Sequence, residues 1–162
     1  MKRYCNRMPL KLLLALAAVL ILSACTDPAP TGDMALGQEP YLRWCASCHG
    51  NEGQGRPPAF PPIAGSEWLD LPDDGLALII LYGLRGEIEV AGRTYRGFMP
   101  PMQHLLDEDI ADVIAFMLDS WGERQAMIDP ARVHELRGAF EGRRPPLDGW
   151  DGVQDAIEAV QP

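Results

Sequence analysis

Apolar residues run without a break from Leu12 to Leu22, and beyond that point they recur in shorter, patterned groups. As a helix the 11-residue run would rise about 17 Å, roughly half of a 30 Å hydrocarbon core, which predicts the centre of an export signal and not a membrane span. Residues 26–33 are nearly devoid of apolar side chains and read as a flexible tether. Further on, Leu76, Ile79 and Ile80 fall on one side of a short helix that Asp73 and Asp74 can cap. Glu87 to Tyr95 alternates apolar and polar residues around Ala91-Gly92, which predicts a small β-hairpin. Ile110, Val113, Ile114, Met117, Leu118 and Trp121 make one apolar helix face, with Asp107, Glu108 and Asp109 crowding the first turn where the helix dipole favours anions. Asp107 is the expected cap of that helix, since Leu106 cannot serve.

The last 40 residues repeat the theme with less force. Asp129-Pro130 is a cap followed by a first-turn proline, leading to Val133, Leu136 and Phe140 on one side of a helix. Arg143-Arg144-Pro145-Pro146 breaks it, Asp151 to Val160 forms a final short helix, and Trp150 is expected to pack. The organisation expected is therefore 1–24 export signal, 25–33 tether, 34–122 a helical domain and 123–162 a helical extension.

The start of the chain is an address. Lys2, Arg3, Arg7 and Lys11 precede the apolar run, and Leu22-Ser23-Ala24-Cys25 follows in the manner of a bacterial lipobox, where cleavage before the cysteine leaves its thiol to be acylated. Cys25 is thus the expected lipid anchor, on the periplasmic side of a bacterial membrane. Thr26, in place of an aspartate directly after the cysteine, favours the outer membrane.

Charge narrows the partners. After residue 24 there are 10 basic residues, all Arg, against 23 acids, hence −13. Such a surface repels phosphate backbones and excludes nucleic-acid binding. With 47% hydrophobic and 23% charged residues, the 162-residue chain is neither collagen-like nor disordered nor polytopic.

With Cys5 removed and Cys25 acylated, Cys45 and Cys48 remain, too few for a disulfide framework. They stand in Cys45-Ala46-Ser47-Cys48-His49, the C-x-x-C-H arrangement of c-type haem attachment. Thiols three residues apart lie about one helical turn apart, so each can form a thioether with one of two vinyl groups, and the adjacent His is held toward the iron. A thioredoxin-like pair would need a βαβ setting that the surrounding pattern lacks. Structural zinc would need a fourth ligand from His104 or His134, both distant in sequence. A plain disulfide leaves His49 without a purpose.

Other segments join this motif. Gly37-Gln38-Glu39-Pro40-Tyr41 precedes it, a glycine-rich stretch from Gly50 to Gly55 follows, and then come Pro61-Pro62-Ile63-Ala64-Gly65, Met99-Pro100-Pro101-Met102 and the helix ending at Trp121. From about residue 34 to 122 the chain resembles the class I cytochrome c family. The resemblance implies an all-α fold, a small helical domain around one covalent haem c, here with a β-hairpin and a C-terminal helical extension. It implies that Gly37 lets the first helix cross the last one near Phe116, with Pro40 kinking or shortening that first helix. It further implies that the Pro61 carbonyl accepts the ring N–H of His49, and that His49 and Met99 are the axial iron ligands, Met99 lying in a loop just before a helix. Trp68, Tyr95 and Arg96 are then candidates to surround the haem at its propionates. Met102 is the rival ligand, because an extended Pro100-Pro101 would hold the two methionines about 9 Å apart on the same side.

The function expected is a membrane-tethered monohaem carrier of single electrons between redox proteins, with no small-molecule substrate and no catalytic constellation. The alternatives are a cytochrome c subunit of a larger dehydrogenase or oxidase complex, for which the tail after Trp121 would be the docking feature, and a haem sensor or peroxidase, which would need the sixth ligand to leave.

Overall fold

The computed structural model describes residues 34–140 and 146–161. The export signal, the tether and Cys25 lie outside the described residues, as does the predicted helix break apart from Pro146. Seven-residue α1 (Gln38–Trp44) runs almost directly into the single turn α2 (Ala46–His49); a 3₁₀ turn (Glu67–Asp70) leads to α3 (Asp73–Tyr82). The hairpin β1 (Leu84–Val90) and β2 (Arg93–Met99) precedes the long α4 (Asp107–Trp121), after which come α5 (Pro130–Ala139), the two-residue β3 (Leu147–Asp148) and α6 (Gly149–Val160). Among the described residues no helix is long and apolar enough to cross a membrane.

Crossing of α1 over α4 is set by Gly37. Its φ of 81° is left-handed, and a Cβ there would collide with the Asp112 carbonyl oxygen while touching Phe116. The two helices therefore approach at the glycine, and Tyr41, Phe116 and Trp121 close over the crossing with ring centroids 5.1 to 5.4 Å apart. Pro40 does not kink α1. It sits at the third helical position, where an N–H would have no partner inside the helix, and the first 4-residue backbone bond is made by Tyr41 N–H to Gly37 O at 3.1 Å.

Three expectations about helix ends and faces are corrected. Asp73 and Asp74 do not cap α3, whose N-cap is Pro72. Asp73 instead accepts from Arg124 and from the backbone N–H groups of Met127 and Ile128, and Asp74 accepts from Arg132. Asp107 likewise makes no cap for α4, because its carboxylate is taken by Arg137 at 2.6 Å and by His134 at 3.2 Å. Nor does α3 have one inward side, since every residue from Gly75 to Tyr82 is buried. The common cause is residues 123–161, whose helices α5 and α6 pack on faces of α3 that would otherwise meet water.

The extension thus shares one core with the rest: Val133, Leu136, Phe140, Val153, Ala156 and Ile157 join Leu78, Leu81, Ile110, Ile114 and Leu118. The expected start at Asp129-Pro130 is present, with Asp129 Oδ1 accepting the Arg132 N–H at 2.8 Å. Tyr82 lies within α3 and donates its hydroxyl toward the carbonyls of Leu136 (2.9 Å) and Arg137 (2.7 Å) at the end of α5.

Asp107 gives this arrangement a pH dependence. Burial opposes its ionisation, but the Arg137 guanidinium, aided by His134, more than offsets that and holds the carboxyl below its ordinary value. A depressed native pKa stabilises the fold at pH values above the unfolded pKa of about 3.9 and ceases to do so as pH falls through the native value. Asp107→Asn should therefore be less stable than the parent at pH 7, with the two denaturation midpoints converging as the solution is acidified below about pH 4.

The hairpin is longer than its alternating pattern predicts. Pairing runs in register from Leu84 opposite Met99 to Val90 opposite Arg93, and Ala91 and Gly92 turn with φ of 50° and 71°. Met99 consequently ends a strand and does not stand in a free loop. A third strand was not visible in the pattern: β3 adds to β1 in parallel, Leu147 opposite Leu84 and Asp148 opposite Arg85, giving the order β2-β1-β3.

Candidate haem site

A partly open cavity of about 350 Å³ is bounded by α2, the proline-rich loop, α3, the hairpin and α4. Cys45, Cys48 and His49 form one wall, while Met99 and Met102 both line it from the far end of the hairpin. The sequence-distant elements meet here because α2 follows α1 without a loop, and α1 is fixed on α4 by the glycine crossing.

His49 Nδ1 lies 2.9 Å from the Pro61 carbonyl oxygen. A carbonyl only accepts, so Nδ1 carries the proton and Nε2 keeps its lone pair. Burial pushes the imidazole pKa down, against the opposing pull of that hydrogen bond, and the ring is neutral and free to act as a donor to a metal. Pro61, and not the adjacent Pro62, is the partner. The loop that delivers it is pinned by backbone bonds from Gly55 N–H to His49 O (2.7 Å) and from Ile63 and Ala64 N–H to Gly53 O (2.7 and 2.9 Å).

Cys45 and Cys48 are not joined in a disulfide. Burial, and then Cys48, pushes the Cys45 thiol up to about 12. Among the described residues no group of three or more His, Cys, Asp or Glu could hold a metal ion by itself. His104 lies edge-on to Trp44 at 5.0 Å and His134 contacts Asp107, so neither joins the cysteines in a zinc site.

Of the three residues expected to surround the haem, two line the cavity. Trp68 does so with its indole N–H on the Glu89 carbonyl at 2.8 Å, and Tyr95 does so while 3% exposed. Arg96 does not: its side chain is 75% exposed and paired with Glu87 at 2.5 Å, because β2 alternates and residue 96 points opposite to Tyr95. Arg85 takes its place as the arginine on the cavity wall. Strand alternation beyond the predicted hairpin would have been needed to find it. Trp150 packs as expected, edge-on to Trp68 at 5.1 Å, although it remains 45% exposed.

The donor set fits a covalent haem. Two thiols one turn apart, a neutral imidazole with one ring nitrogen held, two thioethers in the cavity lining and walls of Leu76, Ile79, Ile80, Val113 and Met117 match the requirements of an apolar macrocycle bound through its edge and its iron.

Residues 34–121 match the family model for cytochrome c. The chain is 46% identical over 99 residues to cytochrome c-552 of Thermus thermophilus, covering 57% of this chain and 67% of that protein. It is 34% identical over 86 residues to cytochrome c-554(548) of Halomonas halodenitrificans, covering 52% of this chain and 93% of that one. A third relative is the cytochrome c subunit of the quinone alcohol dehydrogenase of Gluconobacter oxydans, 35% identical over 129 residues, which are 78% of this chain and 26% of that subunit. The chain therefore spans about two thirds of the first relative and about a quarter of the third.

Proposed function

The chain belongs to the cytochrome c family and carries electrons through one covalent haem c, and from that premise we propose that it works lipid-anchored on the periplasmic side of a bacterial membrane, with His49 and Met99 as the axial ligands. Bound haem iron supplies the one-electron Fe(III)/Fe(II) couple. What the polypeptide contributes is position and environment. Cys45 and Cys48 would hold the porphyrin edge, His49 is oriented by Pro61, and the Met99 thioether, soft and neutral, favours the reduced metal. Apolar walls from α3 and α4 keep water away, so little rearrangement accompanies a change of charge. The observation that carries this reading is the single cavity wall shared by Cys45, Cys48 and a His49 whose Nδ1 is already spent on Pro61.

Redox proteins are the partners, and a tether suits the role because it concentrates the carrier at a surface where donor and acceptor can also be held. Cys25 is proposed as the acylated residue, at the outer membrane in view of Thr26. Cys25→Ser expressed in a Gram-negative host should leave the membrane fraction for the soluble periplasm while its reduced haem c spectrum stays that of the parent. Retention in the membranes would overturn the tether, and loss of the covalent haem spectrum in the parent would overturn the carrier.

A second reading has a specific support: cytochrome subunits of alcohol and fructose dehydrogenases align with 66% to 78% of this chain. Under it the protein is the cytochrome subunit of a larger dehydrogenase, and a large dehydrogenase partner would co-purify in fixed proportion.

A further inference from the structure

Among the residues lining the cavity, Arg85 carries the one permanent charge, and it is not left alone. Asp148 Oδ2 accepts from Arg85 Nη2 at 3.1 Å. The pair is produced by β3, whose two residues join β1 in parallel so that Asp148 stands opposite Arg85, anchored by Leu147 N–H on Gly83 O at 3.0 Å.

Two features mark this carboxylate as placed for Arg85. Asp148 is the N-cap of α6, where an Asp ordinarily accepts a backbone N–H of its own helix, and it makes no such bond. Gly86, also on the cavity wall, has a φ of 92°, which calls for glycine, and the missing Cβ leaves open the space beside the strand into which Asp148 Oδ1 reaches. The carboxylate at the start of α6 thus caps no helix and is spent on one contact beside the cavity.

We propose that Asp148, delivered by the C-terminal extension, is a positioning residue that tunes the reduction potential through Arg85. The inference rests on the haem reading above. A cation at the wall stabilises the reduced, more negative centre and raises the potential. A carboxylate that draws the guanidinium outward and offsets its charge lowers it. The two residues therefore act with opposite sign, and because their side chains are 57% and 66% exposed, added salt weakens both effects.

The test is potentiometric titration of the full haem-loaded chain carrying Arg85→Gln, Asp148→Asn or both, with optical spectra and thermal melts of each. Arg85→Gln should shift the electron-exchange equilibrium with a fixed mediator about two- to fivefold toward the oxidised protein, the scale of an exposed charge pair. Asp148→Asn should shift it by a similar factor toward the reduced protein at low salt. In the Arg85→Gln background the Asp148→Asn shift should fall to less than half. A downward shift for Asp148→Asn would mean that β3 merely seals the cavity against water, and would overturn the proposal. So would an equal shift in both backgrounds, which would mean a direct field and no action through Arg85. A parent without a covalent haem spectrum would overturn the functional reading itself, whereas a normal spectrum with either contrary shift overturns this inference alone.

Discussion

Met99→Ala should lower the midpoint potential and allow the reduced protein to bind CO at neutral pH, while Met102→Ala should do neither. Both methionines line the cavity, so proximity alone does not choose between them. Their backbones differ. Met99 ends β2 in register with Leu84, and Met102 has its N–H on Ile80 O (2.9 Å) and its carbonyl on Leu105 N–H (3.0 Å) as the chain turns toward α4. A thioether withdrawn from the sixth position removes a ligand that favours the reduced metal and opens that position to a small π-acceptor. Axial ligands set haem potentials over roughly 0.8 V, and loss of this one should cost about 0.1 V or more. Potentiometry and a CO difference spectrum of both variants decide the matter. The reverse pattern would make Met102 the ligand, and CO binding by the parent would point to a labile sixth position and to sensing or peroxide chemistry.

The chemistry was legible in the sequence because it is local. Cys45, Cys48 and His49 lie within about one helical turn, whereas the crossing of Gly37 near Phe116 was expected only because the chain resembles the class I cytochrome c family. What periodicity missed is what the extension does. Asp73, Asp74 and Asp107 look like caps because acids at a helix start usually serve its dipole. In the folded protein their stronger partners are Arg124, Arg132 and Arg137, which lie 30 or more residues later and share no pattern with them. That Arg85 and not Arg96 lines the cavity was hidden for a related reason: the hairpin extends through residue 84, and a two-residue strand as short as β3 has no periodicity to detect. A local motif thus marked the C-x-x-C-H turn, and the side chains packed around it are set by long-range pairing.

The integral character of the extension predicts a contrast within one helix. Leu136 in α5 is 1% exposed, and its carbonyl accepts from Tyr82 of α3 at 2.9 Å. Leu136→Ala removes buried methyl groups at a junction where the surrounding helices cannot fully collapse, which costs about 2 to 5 kcal/mol. Against a total stability of about 5 to 15 kcal/mol that is a large fraction, and it should lower Tm by roughly 10 °C or more. Two residues later Gly138 has nothing within 4 Å of where a Cβ would stand. Gly138→Ala should therefore stabilise the protein by up to about 1 kcal/mol, through reduced freedom of the unfolded chain and better helix propensity. Neither residue lines the cavity, so the optical spectrum and potential of both variants should match the parent. Thermal melts of the haem-loaded protein check the contrast: if Leu136→Ala melted within a degree or two of the parent, the extension would be an appendage docked on a finished domain and not part of its core. A drop of the expected size would instead make residues 123–161 a condition for α3 to stay folded, and α3 supplies Leu76, Ile79 and Ile80 to the haem cavity.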